Sequence, residues 1–564
     1  MNTMLKPILL SASVMIPAAA FSQSAVDALS LSRQDIKGTA RYMSMGGAFG
    51  ALGGDLTTLS QNPAGIGVYR SNEVGFTLDL DAQNSKSDVP GFSSSQSRTP
   101  FLLNNIGGVL TLKLNSSVVP NLNFGFTYNK EASFNRSWHG SFGALNTSMT
   151  NWMAGVAYQN YVTEDEISNA FDPYNPSSGQ GAPWITILGY DSYLINPELQ
   201  ADGDTNWYGQ WGDPVYDSKG NQVAPGTSGT ADFAVTESGG IDSFNIAFGG
   251  NFGNVVYWGM DFDITNLNYT RNSYYGENLQ NAYVMGSDGI GQVPSQWSLS
   301  NSYRVSGQGF AYKLGVIVKP IQELRIGFSF STPTFYSLTQ DFIASTTYAY
   351  NGEAQHNPQN DPSLITNDGY PGSYSFRFRS PWKVDVSAAG VIGSNFIISA
   401  EYEWAKMTGM KFEDPSYYSY GNDWYTPSSN SYDYDGTNGN IGNYAKNTNT
   451  FKVGVEYRIT PQFSVRAGYA NISSPVSDNA RKGDYDIATA NLFPSYNFDE
   501  STNYISCGLG YRIKGFYADL AYVYKNNKAT YHGFTNDVTS RIQAPSSSVS
   551  FTSNQVVLSM GYKF

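Results

Sequence analysis

The chain closes on V-V-L-S-M-G-Y-K-F, Val556 to Phe564. Successive side chains of a strand point to opposite faces. Val556, Leu558, Met560, Tyr562 and Phe564 therefore share one face, and Val557, Ser559, Gly561 and Lys563 share the other. An apolar row set against small and charged residues, ending the chain on an aromatic, is the pattern of the last strand of a transmembrane β-barrel. The apolar row meets lipid and the other row meets the lumen. Met560, Tyr562 and Phe564 then read as the assembly signal, presented to a barrel-assembly machinery. A soluble sheet can end the same way, so the rest of the chain has to decide.

Composition favours the barrel. Charged residues make up 14% of the 564, against about 25% in ordinary soluble domains. The chain holds 41 Tyr, 32 Phe and 57 Gly, yet its mean hydropathy is only −0.34. That combination suits a wall with one lipid face and one wet face. Beyond the first segment there is no apolar run of about 18 residues, as a membrane helix requires. A formal net charge of −13 speaks against a nucleic-acid partner, which selects basic surfaces. The single cysteine, Cys507, excludes an internal disulfide.

The N-terminus reads as a secretory signal over residues 1–22. Lys6 supplies the positive charge and Pro7 to Ala20 the apolar core. Ala20 and Ser22 stand at −3 and −1 if cleavage precedes Gln23, and a cut after Ala20 fits nearly as well. No cysteine lies at the cut, which argues against a lipoprotein.

From residue 72 onward, period-2 alternation recurs near 72–82, 104–114, 121–131, 241–251, 255–270, 303–318, 323–335, 373–390, 395–413, 447–459, 462–474, 501–513, 515–527 and 550–564. The spaces between these segments alternate long and short. Short ones include Phe252–Asn254, Lys319–Gln322, Thr460–Pro461 and Lys514; long ones lie near 132–240, 271–302, 336–372, 414–446, 475–500 and 528–549. Outer-membrane barrels carry short periplasmic turns and long outer loops. The expectation is an all-β, 14-stranded antiparallel transmembrane barrel over 72–564, monomeric, in the outer membrane of a Gram-negative cell, with both termini periplasmic and lipid around it. The loop at 132–240 is long enough to fold over the mouth, and its tryptophans (Trp184, Trp207, Trp211) argue for packing.

Parity assigns the faces. Phe451, Val453, Val455, Tyr457 and Ile459 oppose Lys452, Gly454, Glu456 and Arg458. A charge facing mid-bilayer costs roughly 2–4 kcal/mol, so the charged set faces the lumen. Arg325, Arg458, Arg466 and Arg512 all face inward beside short turns. Either they pair with Glu456, Asp519 and Asp55, or they form an anion station for a departing carboxylate.

Residues 23–71 do not alternate. They contain A-R-Y-M-S-M-G-G-A-F-G-A-L-G-G-D-L-T-T-L-S-Q-N-P-A-G, Ala40 to Gly65. The glycines do not make a phosphate loop, because no strand precedes them and no Gly-Lys-Ser/Thr follows. A lumen of this many strands is too wide for side chains alone to fill, and these residues can fill it. The stretch resembles the N-terminal hatch of the FadL/TodX family of outer-membrane channels for hydrophobic compounds. The matching pattern is a Gly/Ala-rich helical run (Gly46, Gly47, Gly50, Gly53), an acid (Asp55), then Asn62-Pro63-Ala64 before the first strand. The resemblance implies passive uptake of long-chain fatty acids or aromatic hydrocarbons. A ligand would bind near the outer loops, pass the hatch and leave through an opening in the wall. The large loop at 132–240 departs from the pattern.

Other classes fit less well. His139, His356 and His532 all fall in expected outer loops, no nucleophile elbow or Cys/His pair is present, and an enzyme is not expected. The acidic stretch Asp433 to Asn438 lacks the closing Glu of a calcium loop, so no metal or cofactor is expected. Two alternatives stay open. One is a surface-displayed binding protein or adhesin on a barrel scaffold. The other is a haem-type receptor, which needs about 22 strands.

Overall fold

In the computed structural model the described residues are 23–564, apart from 90–91, 169–171, 176–180, 200–204, 287–288, 394, 414–433, 486, 491 and 536–542. The expected signal peptide lies outside them, as does Asp433 of the acidic stretch.

Fourteen antiparallel strands close into one barrel. They are β1 (Glu73–Val89), β2 (Phe92–Arg98 with Phe101–Lys113), β3 (Asn121–Ser133 with Arg136–Phe142), β4 (Ser228–Phe252), β5 (Val256–Gly286), β6 (Gly289–Val318) and β7 (Leu324–Ser331 with Phe335–Tyr350). The rest are β8 (Gly372–Arg379 with Lys383–Ile392), β9 (Phe396–Ala405 with Lys411–Glu413), β10 (Thr448–Arg458), β11 (Phe463–Ile472), β12 (Tyr496–Ile513), β13 (Phe516–His532) and β14 (Ser546–Lys563). The terminal strand closes the barrel on β1, in register from Glu73↔Lys563 to Asp88↔Ser548. A closed barrel has no free edge to aggregate through, and fourteen strands remove the haem-type receptor reading.

The alternation places the side chains as lipid demands. On β14, Val556, Tyr562 and Phe564 are outward and exposed, while Val557 and Ser559 are buried in the lumen. Cys507 faces outward. The short connections all lie at one end of the barrel, and two of them turn on left-handed residues, Asn254 (φ 59°) and Lys514 (φ 53°).

The strands run on well past the membrane. β5 and β6 have 31 and 30 residues, against the 9–11 or so that cross a bilayer. The stretch expected as a loop at 271–302 is therefore a strand hairpin, 336–350 belongs to β7, and the insertion at the mouth narrows from 132–240 to 143–227. The reason is that the pattern inverts. Beyond the membrane the outside is water and the inside is protein, so apolar residues turn inward. Ala231, Phe233 and Val235 are buried, whereas Phe244 and Ile246, lower on the same strand, are exposed.

Residues 23–71 fill the lumen. They form helices α1 (Ala25–Leu31), α2 (Ala40–Ser44) and α3 (Thr58–Gln61), followed by a 3-10 turn at Pro63–Val68. Ser24 and Asp27 make a reciprocal capping box on α1. Apolar residues of this segment, Met43, Met45, Phe49 and Leu52 among them, pack against Ala470, Ala521 and Val557 of the wall.

The 143–227 insertion closes the other end. Its helices α4 (Met149–Gln159) and α5 (Trp184–Asp191) bury Met149, Met153, Ile185 and Leu188 against Trp138, Phe233, Tyr275, Trp297 and Tyr531, which line the upper barrel. Glu277 of β5 accepts from the Met149 N–H (2.9 Å) and the Ser148 hydroxyl (2.5 Å) at the start of α4. It lies well beyond the membrane-spanning part of β5. Burial, opposed by these hydrogen bonds, pushes its carboxyl up to about 7. A carboxyl raised in the folded state destabilises that state where it is ionised, and the penalty fades as pH falls through the raised value towards the ordinary one. The seat of α4 should therefore tighten between pH 8 and 6.5. Protection factors for the α4 amides should rise over that window in the wild type and stay flat in Glu277→Gln.

Candidate functional site

The hatch is held by side chains that link its own turns. Thr39 caps α2 and donates to Asp55 at 2.8 Å, and Asp55 in turn accepts from the Thr57 N–H at 3.0 Å. Asn62 is wholly buried. Its Nδ2 donates to the Gly50 carbonyl (2.6 Å) and its Oδ1 accepts from the Ala64 N–H (3.1 Å), so one amide ties the glycine turn to the 3-10 segment begun by Pro63. Gly46 (φ 62°) and Gly53 (φ 64°) hold left-handed turns open to glycine and to few other residues, and Gly47 stands beside Gly46. At Gly50 the constraint is proximity: a Cβ would lie 2.5 Å from Ser387 Oγ and 2.6 Å from Asp385 Oδ1 of β8. The wall answers with glycines of its own. A Cβ on Gly315 would collide with Asn62 Oδ1, and one on Gly468 with the Gly46 nitrogen.

Ion pairs fix the hatch to the wall. Lys37 Nζ reaches Asp79 at 2.7 Å and Gln555 at 2.8 Å, with both charged side chains fully buried. Arg41 pairs with Glu456 at 2.9 Å. Glu401 accepts from the Gly50 N–H (2.8 Å) and pairs with Lys452 (2.7 Å). Losing one partner of such a buried pair costs about 3–5 kcal/mol. Lys37 and Arg41 were not among the residues singled out from sequence. The signal was present as basic residues (Arg33, Lys37, Arg41 and Arg70) in the segment that fills the lumen, matched to inward acids on the strands.

The four arginines meet different fates. Arg466 is neutralised by Glu456 (2.7 Å) and Asp519 (2.6 Å), so it is no free anion station. Arg325 Nη1 donates to the Leu52 carbonyl at 2.7 Å and holds the hatch backbone. Arg512 is half-buried and has no ion pair within 4 Å among the described residues, and Arg458 is half-buried in β10. Asp55 is engaged inside the hatch and pairs with none of them.

Two chambers in the lumen share the hatch segment Ser32–Asp35 as lining. The larger lies toward β4–β9 and is bordered by Lys313, Asp385 and Lys452. The smaller reaches the wall at Gln96 and Arg98 of β2 and at Ser133 and Asn135 of β3. The backbone ladder of the wall is interrupted there. β2 and β3 pair from Lys113↔Asn121 to Asn105↔Asn129. Above that level, among the described residues, Phe92–Arg98 shares a backbone ladder only with β1 and Arg136–Phe142 only with β4, and the two segments meet through side chains: the Ser94 hydroxyl donates to the His139 carbonyl, as the Ser85 hydroxyl of β1 does to that of Ser137. The break follows from β3 leaving the wall near Phe134. Trp138 turns into the lumen against Tyr531 and Phe551, and β4 follows through Gly239 (φ 105°) and a register shift at Ile241/Asp242. Asn105 lies eight residues from Lys113 at the short-turn end, and Leu103 and Phe101 above it are still exposed, so the break falls in the upper part of the apolar band.

A plugged, fourteen-stranded barrel with Asn-Pro-Ala at the foot of its hatch has a family counterpart. The family model described as outer membrane protein transport protein (OMPP1/FadL/TodX) matches residues 277–564. The chain belongs to the FadL/TodX family. It is thus one of a family of bacterial outer-membrane β-barrels that transport hydrophobic compounds. Among solved structures it is similar to a FadL homologue of Pseudomonas aeruginosa (12% identity, 94% of this chain and 99% of that one, TM-score 0.49). It is also similar to the toluene transporter TodX of Pseudomonas putida (11%, 94% and 99%, 0.45) and to the toluene transporter TbuX of Ralstonia pickettii (14%, 94% and 99%, 0.41). No curated protein matches it in sequence.

Proposed function

We propose that this FadL/TodX-family barrel is a passive channel for small hydrophobic or amphiphilic molecules, gated by residues 23–71. The observation that carries the reading is the smaller chamber, which runs from the hatch segment Ser32–Asp35 to the break between β2 and β3. A ligand admitted at the long-loop end reaches the hatch, passes into this chamber and leaves sideways into the lipid, without crossing the aqueous space beyond. The short turns and both termini face the periplasm, the barrel works as a monomer in the outer membrane, and a barrel-assembly machinery inserts it. The break supplies the test. Large side chains at its rim, Asn135→Trp or Gln96→Trp, should obstruct the exit and cut uptake of a labelled fatty acid into proteoliposomes severalfold while leaving the barrel folded. Undiminished uptake would mean that ligand leaves elsewhere.

The hatch works as a gate because its seat is tight but breakable. Asn62→Ala removes two hydrogen bonds and leaves the Gly50 carbonyl and the Ala64 N–H buried without partners, at about 1–3 kcal/mol each. That is enough to misplace the hatch and too little to unfold fourteen paired strands. Asn62→Ala, Gly50→Val and Gly53→Val should each lower hydrophobic uptake while the heat-modifiable folded band persists. Normal uptake by all three would place gating outside residues 46–64.

A further inference from the structure

Just above the apolar band, the outer face of β6–β9 turns basic. On β6 the outward row runs Val318, Val316, Leu314 and Phe310, all exposed, and then changes to Gln308 and Arg304, also exposed. Tyr303 and Val305, on either side of Arg304, are buried inward. The apolar part of the row rises roughly 20 Å along the barrel axis, close to the ~25 Å band of an outer-membrane barrel. Residues directly opposite in an antiparallel pair share a face, so the register extends the row sideways. Phe310 stands opposite Phe335 of β7, Phe335 opposite Arg379 of β8, and Arg379 opposite Lys411 of β9. One step up, Gln308, Ser337, Arg377 and Glu413 form the next row, and higher still Arg304 faces Asp341. Four cations and two acids therefore sit outward around the last apolar pair, Phe310 and Phe335.

Only one of these cations is neutralised. Arg379 pairs with Glu413 at 2.6 Å and lies over the Phe335 ring at 5.4 Å. Asp341 accepts from the Ser373 hydroxyl at 2.7 Å instead of pairing with Arg304. Arg304, Arg377 and Lys411 make no ion pair or side-chain hydrogen bond among the described residues, and both arginines are exposed. Across the barrel the outward cations Lys86 and Lys130 are matched by Asp88 at 3.0 Å and Asp242 at 2.8 Å. The patch thus carries +2, four cations less two acids, on a chain of net charge −13. Apolar side chains topped by unpaired cations complement a lipid with acyl chains and an anionic head. A guanidinium meets phosphate oxygens through two parallel N–H bonds and gives up its water more readily than an ammonium. Arg304 and Arg377 stand two strands and four residues apart, roughly 16 Å between Cα atoms, which leaves room for a phosphate on each. Between them Ser306, Thr339 and Ser375 present small polar side chains. These suit sugar oxygens and offer none of the aromatic anchors on which a protein partner would depend.

We infer that the outer face of β6–β9 docks a phosphorylated glycolipid of the outer leaflet, with phosphates on Arg304, Arg377 and Lys411 and acyl chains over Phe310 and Phe335. The inference rests on the orientation proposed above, short turns toward the periplasm, and does not depend on what the channel carries. Purified full-length protein in detergent micelles should bind lipid A at least ten times more tightly than dephosphorylated lipid A, since each cation at an anionic lipid surface contributes about fivefold. The triple variant Arg304→Gln/Arg377→Gln/Lys411→Gln should erase that preference while keeping the heat-modifiable folded band. Lys528→Gln, at an outward lysine on β13, should retain it. Equal binding of the two lipids, or a preference that survives the triple substitution, would overturn the site. So would displacement of lipid A by equimolar inorganic phosphate, which would make the patch a site for the free ion. Protease added to intact cells separates this failure from that of the orientation. Cleavage within the 143–227 insertion without a lipid preference sinks the docking site alone; an insertion shielded in intact cells overturns the orientation and the docking site with it.

Discussion

Removing residues 24–60 should turn the protein into an open pore. In planar bilayers the wild type should hold near the baseline, whereas the deletion should give long-lived conducting steps, and outer membranes carrying it should admit small polar solutes. The deletion takes out α1, α2 and most of α3, together with Lys37, Arg41 and the Asn62-bonded Gly50. What remains is a ring of inward polar residues, Asp79, Glu401, Lys452, Glu456 and Asp519 among them, with water free to enter between them. Such a ring is costly while buried and harmless once wet, so the strand ladder has no reason to collapse. Unchanged conductance would mean that the 143–227 insertion, packed around Trp138 and Phe233, seals the barrel by itself.

Deleting Phe564 should nearly abolish outer-membrane assembly. In the folded barrel Phe564 exchanges two backbone hydrogen bonds with Asn72 (3.0 and 3.1 Å) and stacks on Tyr562, with its ring 63% exposed. Those contacts contribute about 1–3 kcal/mol, a small loss for a barrel whose last strand is bonded to β1 over sixteen residue pairs. A deletion that acted only through stability would lower the unfolding midpoint slightly and leave yield intact. A signal read by an assembly machinery predicts the opposite: little folded band in vivo, and near-normal refolding of the purified chain in detergent. Normal membrane yield of the truncated protein would remove Met560, Tyr562 and Phe564 from any role in recognition.

The membrane wall was legible because lipid imposes one rule on every strand. Phe451, Val453 and Tyr457 outward with Lys452 and Glu456 inward repeat a pattern with one physical cause. Legibility stops where that cause stops. Above the membrane the same alternation continues with its sense reversed, at Ala231, Phe233 and Val235, so the upper strands read as loops. The hatch could be placed from its lack of alternation and from Asn62-Pro63-Ala64, and Asn62 does brace the bend as an amide there can. Its anchors could not be paired, because Lys37–Gln555 and Arg41–Glu456 join residues hundreds of positions apart. The break between β2 and β3 was invisible for a different reason. It is a set of backbone hydrogen bonds that are not made where β3 leaves the wall near Phe134.

The central claim is that molecules cross the membrane through this barrel, and one measurement tests it most directly. Purified protein is sealed into liposomes, and entry of a labelled long-chain fatty acid is followed against protein-free vesicles of the same lipid. The account predicts entry that saturates with ligand concentration, needs no energy source and falls in Asn62→Ala. Entry no faster than in protein-free vesicles, with the barrel folded and correctly inserted, would contradict it and leave a scaffold that displays its 143–227 insertion at the cell surface.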